Sequence, residues 1–485
     1  MRSAVPKVLH PLLGRSLLGH VLAAAEEIAD RTLVVVGAGA DQVSSHLAEV
    51  APKAIPVVQP QLRGTGHAVQ VALAAVPDLV AEGGTVVVLN GDLPLLRPAT
   101  VIDLVAAHEA ASAAATLLAV ELADPAGLGR IVRDRSGRLV AIVEERDATV
   151  RQREIREVNA GVYAFDAARL RSALDRIGRD NAQREEYLTD VPGRLVADGQ
   201  LVAVRRVADP ADALGCNDRA ELAVARARLR DRVNQAWMRA GVTIVDPATT
   251  WIDVTATLGP DTVVEPNTHL RGRTVIGEGV LIGPDVSLID TVVGDGASVV
   301  RAHAVSSWIG PGAQVGPYAS LRPASRLAAG SKVGTFVETK NAEIGEGAKV
   351  AHQAYVGDAA IGPGANIGAG TIFVNYDGAA KHHTEVGEAA FVGSNTNLIA
   401  PVTVGDGAYV AAGSTVTAEV PPGALGLSRS PQRTILGWVE RRRAGTRSAR
   451  AAARAATSAE PAEPAGSARE ATAPAPRETA PGGDP

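Results

Sequence analysis

Aliphatic residues recur every six positions through the second half of the chain. The run begins at Leu258-Gly259 and passes through Val264, Leu270, Ile276 and Ile282. After small slips it resumes at Ile309, Val315, Leu321, Leu327 and Val333, then at Ile344, Val350 and Val356, and at Ile361 and Ile367. A last run takes Val386, Val392, Leu398, Val404, Val410 and Val416. Gly often follows the aliphatic residue, and a small residue stands four places on. Six is not a multiple of 3.6, so an amphipathic helix does not give this pattern, and a hairpin sheet would alternate with period two. A six-residue period predicts a parallel β-helix, with each hexad one short side of a coil. The aliphatic residue points inward and stacks on its equivalents in the neighbouring coils, and Gly or small residues allow the corners. The regular stretch from Leu258 to Leu288 reads as scaffold. Breaks gather between Val333 and Val386, and function is expected there, because a fold alone assigns none.

The first half carries a different pattern. Ser16 is placed to cap a helix whose apolar face is Leu17, Leu18, Val21, Leu22, Ala25 and Ile28. Apolar strands follow at Leu33 to Val36, Ile55 to Val58 and Thr85 to Leu89, with helices opened by Asp41 and running from Gly66 to Val76. Such alternation predicts a parallel sheet covered by helices on both faces. Ligands then belong at the carboxyl ends of the strands. That directs attention to Gln59-Pro60 with Arg63-Gly64-Thr65-Gly66, and to Asn90-Gly91-Asp92-Leu93-Pro94. Later come a hairpin around Ser136-Gly137, a strand from Val158 to Phe165, a helix near Tyr187 to Val196 and a strand from Leu201 to Val207. Arg219 to Arg239 is a long, charged, Ala-rich helical pattern. The expected division is an α/β domain over residues 1–218, a linker helix over 219–241, a β-helix domain over 242–437 and an Ala/Arg/Pro-rich tail over 438–485. The tail has almost no large apolar residues, so it is expected to be disordered.

Composition narrows the function. At 485 residues the chain is too long for one ordinary core. A net charge of −5 gives no nucleic-acid footprint. Cys216 is the single cysteine, which excludes a disulfide within the chain and fits a reducing, cytoplasmic setting. No apolar run reaches the length of a membrane span, and the start lacks a signal-peptide pattern.

Eight phrases stand out in order: Pro6-Lys7-Val8-Leu9, Gln59-Pro60 with Gly64-Thr65-Gly66-His67-Ala68, Asn90-Gly91-Asp92-Leu93-Pro94-Leu95, Gly127-Leu128-Gly129-Arg130-Ile131, Ile142-Val143-Glu144-Glu145, Val158-Asn159-Ala160-Gly161, Tyr187-Leu188-Thr189-Asp190 and Gly215-Cys216-Asn217-Asp218-Arg219. On these the first domain resembles the sugar-nucleotidyltransferase (pyrophosphorylase) family. With the β-helix behind it, the chain to about Gly437 resembles the bifunctional bacterial N-acetylglucosamine-1-phosphate uridyltransferase / glucosamine-1-phosphate acetyltransferase family. No phrase is decisive alone; their order and spacing are specific.

The resemblance implies a Rossmann-like nucleotidyltransferase domain followed by a left-handed parallel β-helix. It implies two reactions that feed peptidoglycan and other cell-envelope synthesis. In the uridyl transfer, a sugar phosphate oxygen attacks the α-phosphorus of UTP and pyrophosphate leaves, so charge neutralisation and positioning matter most. Asp92 and Asn217 would ligate Mg2+, a hard cation that takes oxygen donors. Lys7 would face phosphate, and Gln59, Gly64 and Thr65 would read uracil. Gly129, Glu144 and Asn159 would hold the sugar and its N-acetyl group. Taken singly, Asp92 is an ordinary turn residue after a strand and Asn217 an ordinary helix cap.

For acetyl transfer from acetyl-CoA to glucosamine 1-phosphate, the amine must lose a proton, which suits a near-neutral base. The resemblance implies His352 in that role, with Glu338 as a partner that orients it. Arg322 and Lys340 would hold the phosphate, and Tyr355 and Asn366 the sugar. Ala369, Asn375, Tyr376, Ser394, Ala412 and Arg429 would contact acetyl-CoA or the developing oxyanion. Taken singly, His352 is a surface polar residue. A homotrimer with active sites between chains is implied as well.

The family pattern begins with a strand and a Gly-rich phosphate loop, whereas this sequence begins at Met1-Arg2-Ser3, aligned to the end of that loop. Two expectations follow: a start codon set too late, which is the favoured one, or a domain that lacks its first strand and most of its phosphate loop. Two further readings remain open at this point: acetyl transfer alone, or a pyrophosphorylase relative whose β-helix only supports assembly. His352, Lys340 and the Asn375-Tyr376 insertion argue against the latter.

Overall fold

A computed structural model describes residues 1–458. Residues Met1–Ser428 form one compact unit, and the chain from Arg429 belongs to a second.

The first half is built on a sheet in two pieces. Leu33–Val36 pairs in parallel with Ile55–Val58, apart from a six-stranded sheet in which Ala115–Glu121 and Glu157–Asp166 are central. The sheet is mixed rather than parallel, which corrects the sequence expectation. Glu157–Asp166 runs antiparallel to both Thr85–Leu89 and Ala115–Glu121. It follows the hairpin of Arg130–Arg133 and Leu139–Val143, and an antiparallel hairpin reverses the chain where a helical crossover would not. Successive residues of a strand face opposite sides, and the packing obeys this. Leu117 joins Val69, Leu73, Leu170 and Leu195 on one face, while Leu118 joins Val21, Val101 and Leu104 on the other. Helices therefore cover both sides. Ser16 caps Leu17–Ala25 by accepting the Gly19 amide at 2.9 Å.

Helix Arg219–Arg239 joins the halves. Its cap is Asp218, whose carboxylate accepts the Ala220 and Glu221 amides at 2.8 Å each. Near the other end, buried Asn234 donates to the Pro247 and Thr250 carbonyls and ties the helix to the first coil.

The second half is a left-handed parallel β-helix. One of its sheets has 11 strands and another, curling around the remaining sides, has 17. The periodic aliphatic residues all point inward: Leu258 and Val416 are the least covered at 8% and 6% exposure. Each stacks on the next coil in register, as Val264 does on Ile282 and Val386 on Val404. Burying each such side chain is worth about 1.5–3 kcal/mol. Within the aliphatic column itself, a polar residue interrupts the stack at Thr339. Thr339 stands between Leu321 and Val356, and its hydroxyl meets that of Ser325 at 2.8 Å inside the core. The largest break lies where Ile361 pairs with Val386 and Phe373 with Leu398, because extra residues leave the coil as a loop.

Past the compact unit, Trp438–Arg442 and Arg447–Ser458 are helical, where disorder was expected. Ala and Arg are strong helix formers, and Arg447–Ser458 has neither Pro nor Gly to interrupt it. The expectation for residues 459–485 lies outside the described residues.

Candidate active sites

In the first half, the loops bring three of the expected residues into contact. Lys7 Nζ lies 2.5 Å from Asp92 Oδ2 and donates to Asn217 Oδ1 at 2.6 Å. Asp92 follows the strand Thr85–Leu89, and Asn217 arrives on the loop before the linker helix. The Cys216 amide donates to the Asp92 carbonyl at 3.2 Å and fixes the two loops together. Because Asp218 caps the helix, the Asn217 side chain is not consumed as a cap and turns to the site. Burial pushes the Cys216 thiol up to about 11, which leaves it a neutral packing residue.

A second group surrounds the loop before helix Thr65–Ala74. Gly64 has φ of +116°, and a Cβ there would come 2.5 Å from the Glu186 carbonyl oxygen, so only glycine fits. The Gln59 amide donates to the Gly64 carbonyl at 3.1 Å and lies 2.9 Å from His67 Nδ1. Thr65 Oγ1 accepts the Leu188 amide at 3.0 Å.

Gly129, Glu144 and Asn159 also come together. The Asn159 amide donates to the Gly129 carbonyl at 2.8 Å, and Ile142 and Glu144 pack over Gly129. Two partners were missed from sequence. Thr189 Oγ1 donates to Glu144 at 2.8 Å, and Asn159 donates to the Tyr163 hydroxyl at 2.6 Å. Burial raises the Glu144 carboxyl against the opposing Thr189 hydrogen bond. Burial likewise raises the Tyr163 phenol far above its ordinary value, so it stays protonated. Thr189 sits in a phrase already singled out, but nothing in the spacing points Tyr163 back to Asn159.

In the β-helix the expected residues gather at one corner. His352 ends strand Lys349–His352, and Tyr355 begins strand Tyr355–Ile361 on the next face. The strand registers pair Val350 with Ile367, Ile367 with Val392 and Val392 with Val410. Continued two residues, they put His352, Ala369, Ser394 and Ala412 one above another along the edge. Amide hydrogen bonds repeat down this column, from Asn395 to the Ala369 carbonyl at 2.7 Å and from Gly413 to the Ser394 carbonyl at 2.8 Å. With strands about 4.8 Å apart, the column below His352 spans three steps, about 15 Å. It is lined by small side chains, so it can take a long thin ligand.

Beyond the corner lies a polar cluster. Arg322 and Lys340 occupy adjacent coils, since Leu321 pairs with Thr339. Lys381, from the inserted loop, sits against Lys340 and holds that ammonium below its ordinary pKa, with Asp358 opposing and Arg322 adding to the repulsion. Burial alone would raise the Asp358 carboxyl. Hydrogen bonds from Asn341 at 2.8 Å and Asn375 at 2.5 Å, with the two lysines, outweigh it and lower the group. The Asn375 amide also reaches the Tyr355 hydroxyl at 3.4 Å. The loop is closed on itself: Asp377 accepts the Ala379 and Ala380 amides, each at 2.7 Å, and Tyr376 donates to the Gly378 carbonyl at 2.6 Å. Lys381 and Asp358 were missed, though a lone lysine in the largest break of the repeat was a usable signal.

Three expectations fare differently. Glu338 does not orient His352; it accepts from Arg322 at 3.0 Å, because the two lie on adjacent coils of the same face. Among the described residues no hydrogen bond reaches the exposed His352 ring. Asn366 stands back on the eleven-stranded face, between Lys349 and Phe391, rather than in the Tyr355 cluster. Arg429 falls in the second compact unit.

Comparison with known proteins agrees with both halves. Residues 1–185 match the MobA-like NTP transferase domain, and residues 383–418 match the bacterial transferase hexapeptide (six repeats). The chain is 53% identical over 452 residues to the bifunctional protein GlmU of Streptomyces avermitilis, covering 93% of each chain. It is 54% identical over 454 residues to the protein of that name from Mycobacterium tuberculosis, covering 93% of this chain and 91% of the relative. The GlmU of Mycolicibacterium vanbaalenii is 53% identical over 460 residues. With such identity running through both halves, the chain belongs to the family of bifunctional GlmU proteins.

Proposed function

We propose that this chain makes UDP-N-acetylglucosamine in two steps at two separate sites. It first acetylates glucosamine 1-phosphate with acetyl-CoA, then transfers uridylyl from UTP to the product and releases pyrophosphate. The observation that carries this reading is the presence of two distinct polar clusters, each suited to one reaction. Acetyl transfer alone is not favoured, because the likeness to the relatives covers 93% of the chain and so takes in its first half.

At the β-helix corner, the amine of the sugar attacks the thioester carbonyl, its proton passes to His352, and the CoA thiolate leaves. Arg322, Lys340 and Lys381 hold the sugar phosphate by charge-assisted hydrogen bonds. Tyr355 and Asn375 contact the sugar or the acyl group, with Tyr376 beside them, and Asn366 reaches the sugar from a neighbouring chain. The column of Ala369, Ser394 and Ala412 carries the arm of acetyl-CoA. We further propose a homotrimer in which a neighbouring chain completes the His352 site. The unpartnered ring and the remote Asn366 support that reading, and the sedimentation mass in solution checks it.

In the other site, Gln59, Gly64 and Thr65 hold the base, while Gly129, Glu144 and Asn159 orient N-acetylglucosamine 1-phosphate. Asp92 and Asn217 would hold Mg2+. The donor set fits: both are oxygen atoms, and they already share one cation, the Lys7 ammonium. Among the described residues no group of three or more His, Cys, Asp or Glu is arranged for a metal. Mg2+ suits such a sparse set, because it usually keeps water and phosphate oxygens in its octahedron. When bound it neutralises charge on the phosphates. Lys7 then adds its own charge to the phosphate side.

The test supplies acetyl-CoA with glucosamine 1-phosphate, and separately UTP with N-acetylglucosamine 1-phosphate and Mg2+. Free CoA from the first and pyrophosphate from the second are expected. Absence of either product removes that half of the reading.

A further inference from the structure

The Lys7 ammonium does more than lie near phosphate. It touches both oxygens that the preceding reading gives to the metal, at 2.5 Å and 2.6 Å. A cation cannot enter between Asp92 and Asn217 while the ammonium bridges them. The site is also only partly open: the Lys7 and Asp92 side chains are 34% and 22% exposed. The loops that meet there are fixed. Asp92 is tied to Cys216 through its carbonyl, and the Asn217 amide donates to Glu221 Oε2 at 2.6 Å. The backbones that carry the carboxylate and the amide oxygen on short side chains are thus held, and the flexible four-carbon lysine is the part that can leave most freely.

We propose that Lys7 is a placeholder cation. It occupies the metal position in the metal-free protein, and an arriving divalent cation displaces it from Asp92 and Asn217 toward the phosphates. The inference rests on the reading of Asp92 and Asn217 as metal ligands. It explains why one side chain serves both roles. Without metal, the ammonium neutralises a half-buried carboxylate and keeps the two loops apart by a set distance. With metal, the same charge is set free where the nucleotide phosphates would need it. Bare metal therefore binds less tightly than the two oxygens alone would allow, because only the fraction of protein with Lys7 swung away is competent.

The test titrates Mg2+ alone into the full-length protein by calorimetry, comparing native chain, Lys7→Met and Asp92→Asn. Lys7→Met should bind Mg2+ about three- to tenfold more tightly than the native chain. That gain should persist in about 0.5 M KCl, where charges not in contact are screened within a few ångströms. Mg2+ should also raise the melting temperature of Lys7→Met by more than that of the native protein, since only the variant lacks its internal cation. Equal affinity for native and Lys7→Met would overturn the inference while leaving the metal site intact. So would a gain that disappears in high salt, which would mark a distant charge effect. Unchanged Mg2+ binding in Asp92→Asn would instead overturn the reading of the site itself.

Discussion

The two halves of this chain assemble chemistry in opposite ways. In the first, residues far apart in sequence converge through loops, and Lys7, Asp92 and Asn217 end in direct contact. In the second, residues are laid out by the repeat. A step of one coil moves along the column from His352 to Ala369 to Ser394, and a turn of the corner moves to Tyr355. The loop-built site is compact and its groups neutralise one another. The solenoid-built site is extended, and its central histidine finds no partner among the described residues. A solenoid repeats contacts between nearest neighbours only, so its sites are lines and corners rather than enclosed pockets.

This contrast sets the predictions. His352→Ala should lower acetyl transfer by about 10^2–10^4-fold, the range for loss of a general base, with pyrophosphate release unchanged. Stopped-turnover assays of CoA release read it directly. Phe373→Ala should destabilise the β-helix by about 3–5 kcal/mol, because Phe373 is fully buried beside the inserted loop. Coils couple only to neighbours, so uridyl transfer should survive at temperatures where acetyl transfer is already lost. Asp92→Asn should do the reverse of His352→Ala, cutting pyrophosphate release by about 10^2–10^3-fold through lost charge stabilisation.

Smaller effects sharpen the comparison further. Lys381→Ala should raise the KM for glucosamine 1-phosphate by about 10–100-fold, as expected for one charge-assisted hydrogen bond, with a lesser change in kcat. The smallest effect concerns Glu144. Its carboxyl is raised by burial, so the fold favours the neutral form. The stability it contributes is complete below its ordinary value of 4.5 and is lost as pH rises through the raised folded value. Glu144→Gln should therefore flatten the pH dependence of unfolding across that window, which denaturant melts at several pH values would reveal.

Much of the architecture was readable because a β-helix writes its core as a period. Each aliphatic residue of that six-residue period is buried. The reading failed where the inward residue is polar, as at Thr339, whose hydroxyl is satisfied inside by Ser325. It also failed on strand direction, because Glu157–Asp166 looks the same from either end until the preceding hairpin is counted. The sites were legible as residues but not as contacts. Glu338 was expected to orient His352, whereas coil spacing gives it to Arg322. Lys381 went unseen because loop residues carry no period. Asn217 was ambiguous until Asp218 proved to be the cap.

The central claim is that one chain holds two independent sites joined only by a diffusing intermediate. An equimolar mixture of the His352→Ala and Asp92→Asn proteins tests it, supplied with glucosamine 1-phosphate, acetyl-CoA, UTP and Mg2+. Neither variant alone should form UDP-N-acetylglucosamine, and the mixture should form it steadily. If the mixture stays inactive, or either single variant loses both partial reactions, the account of two separable sites is wrong.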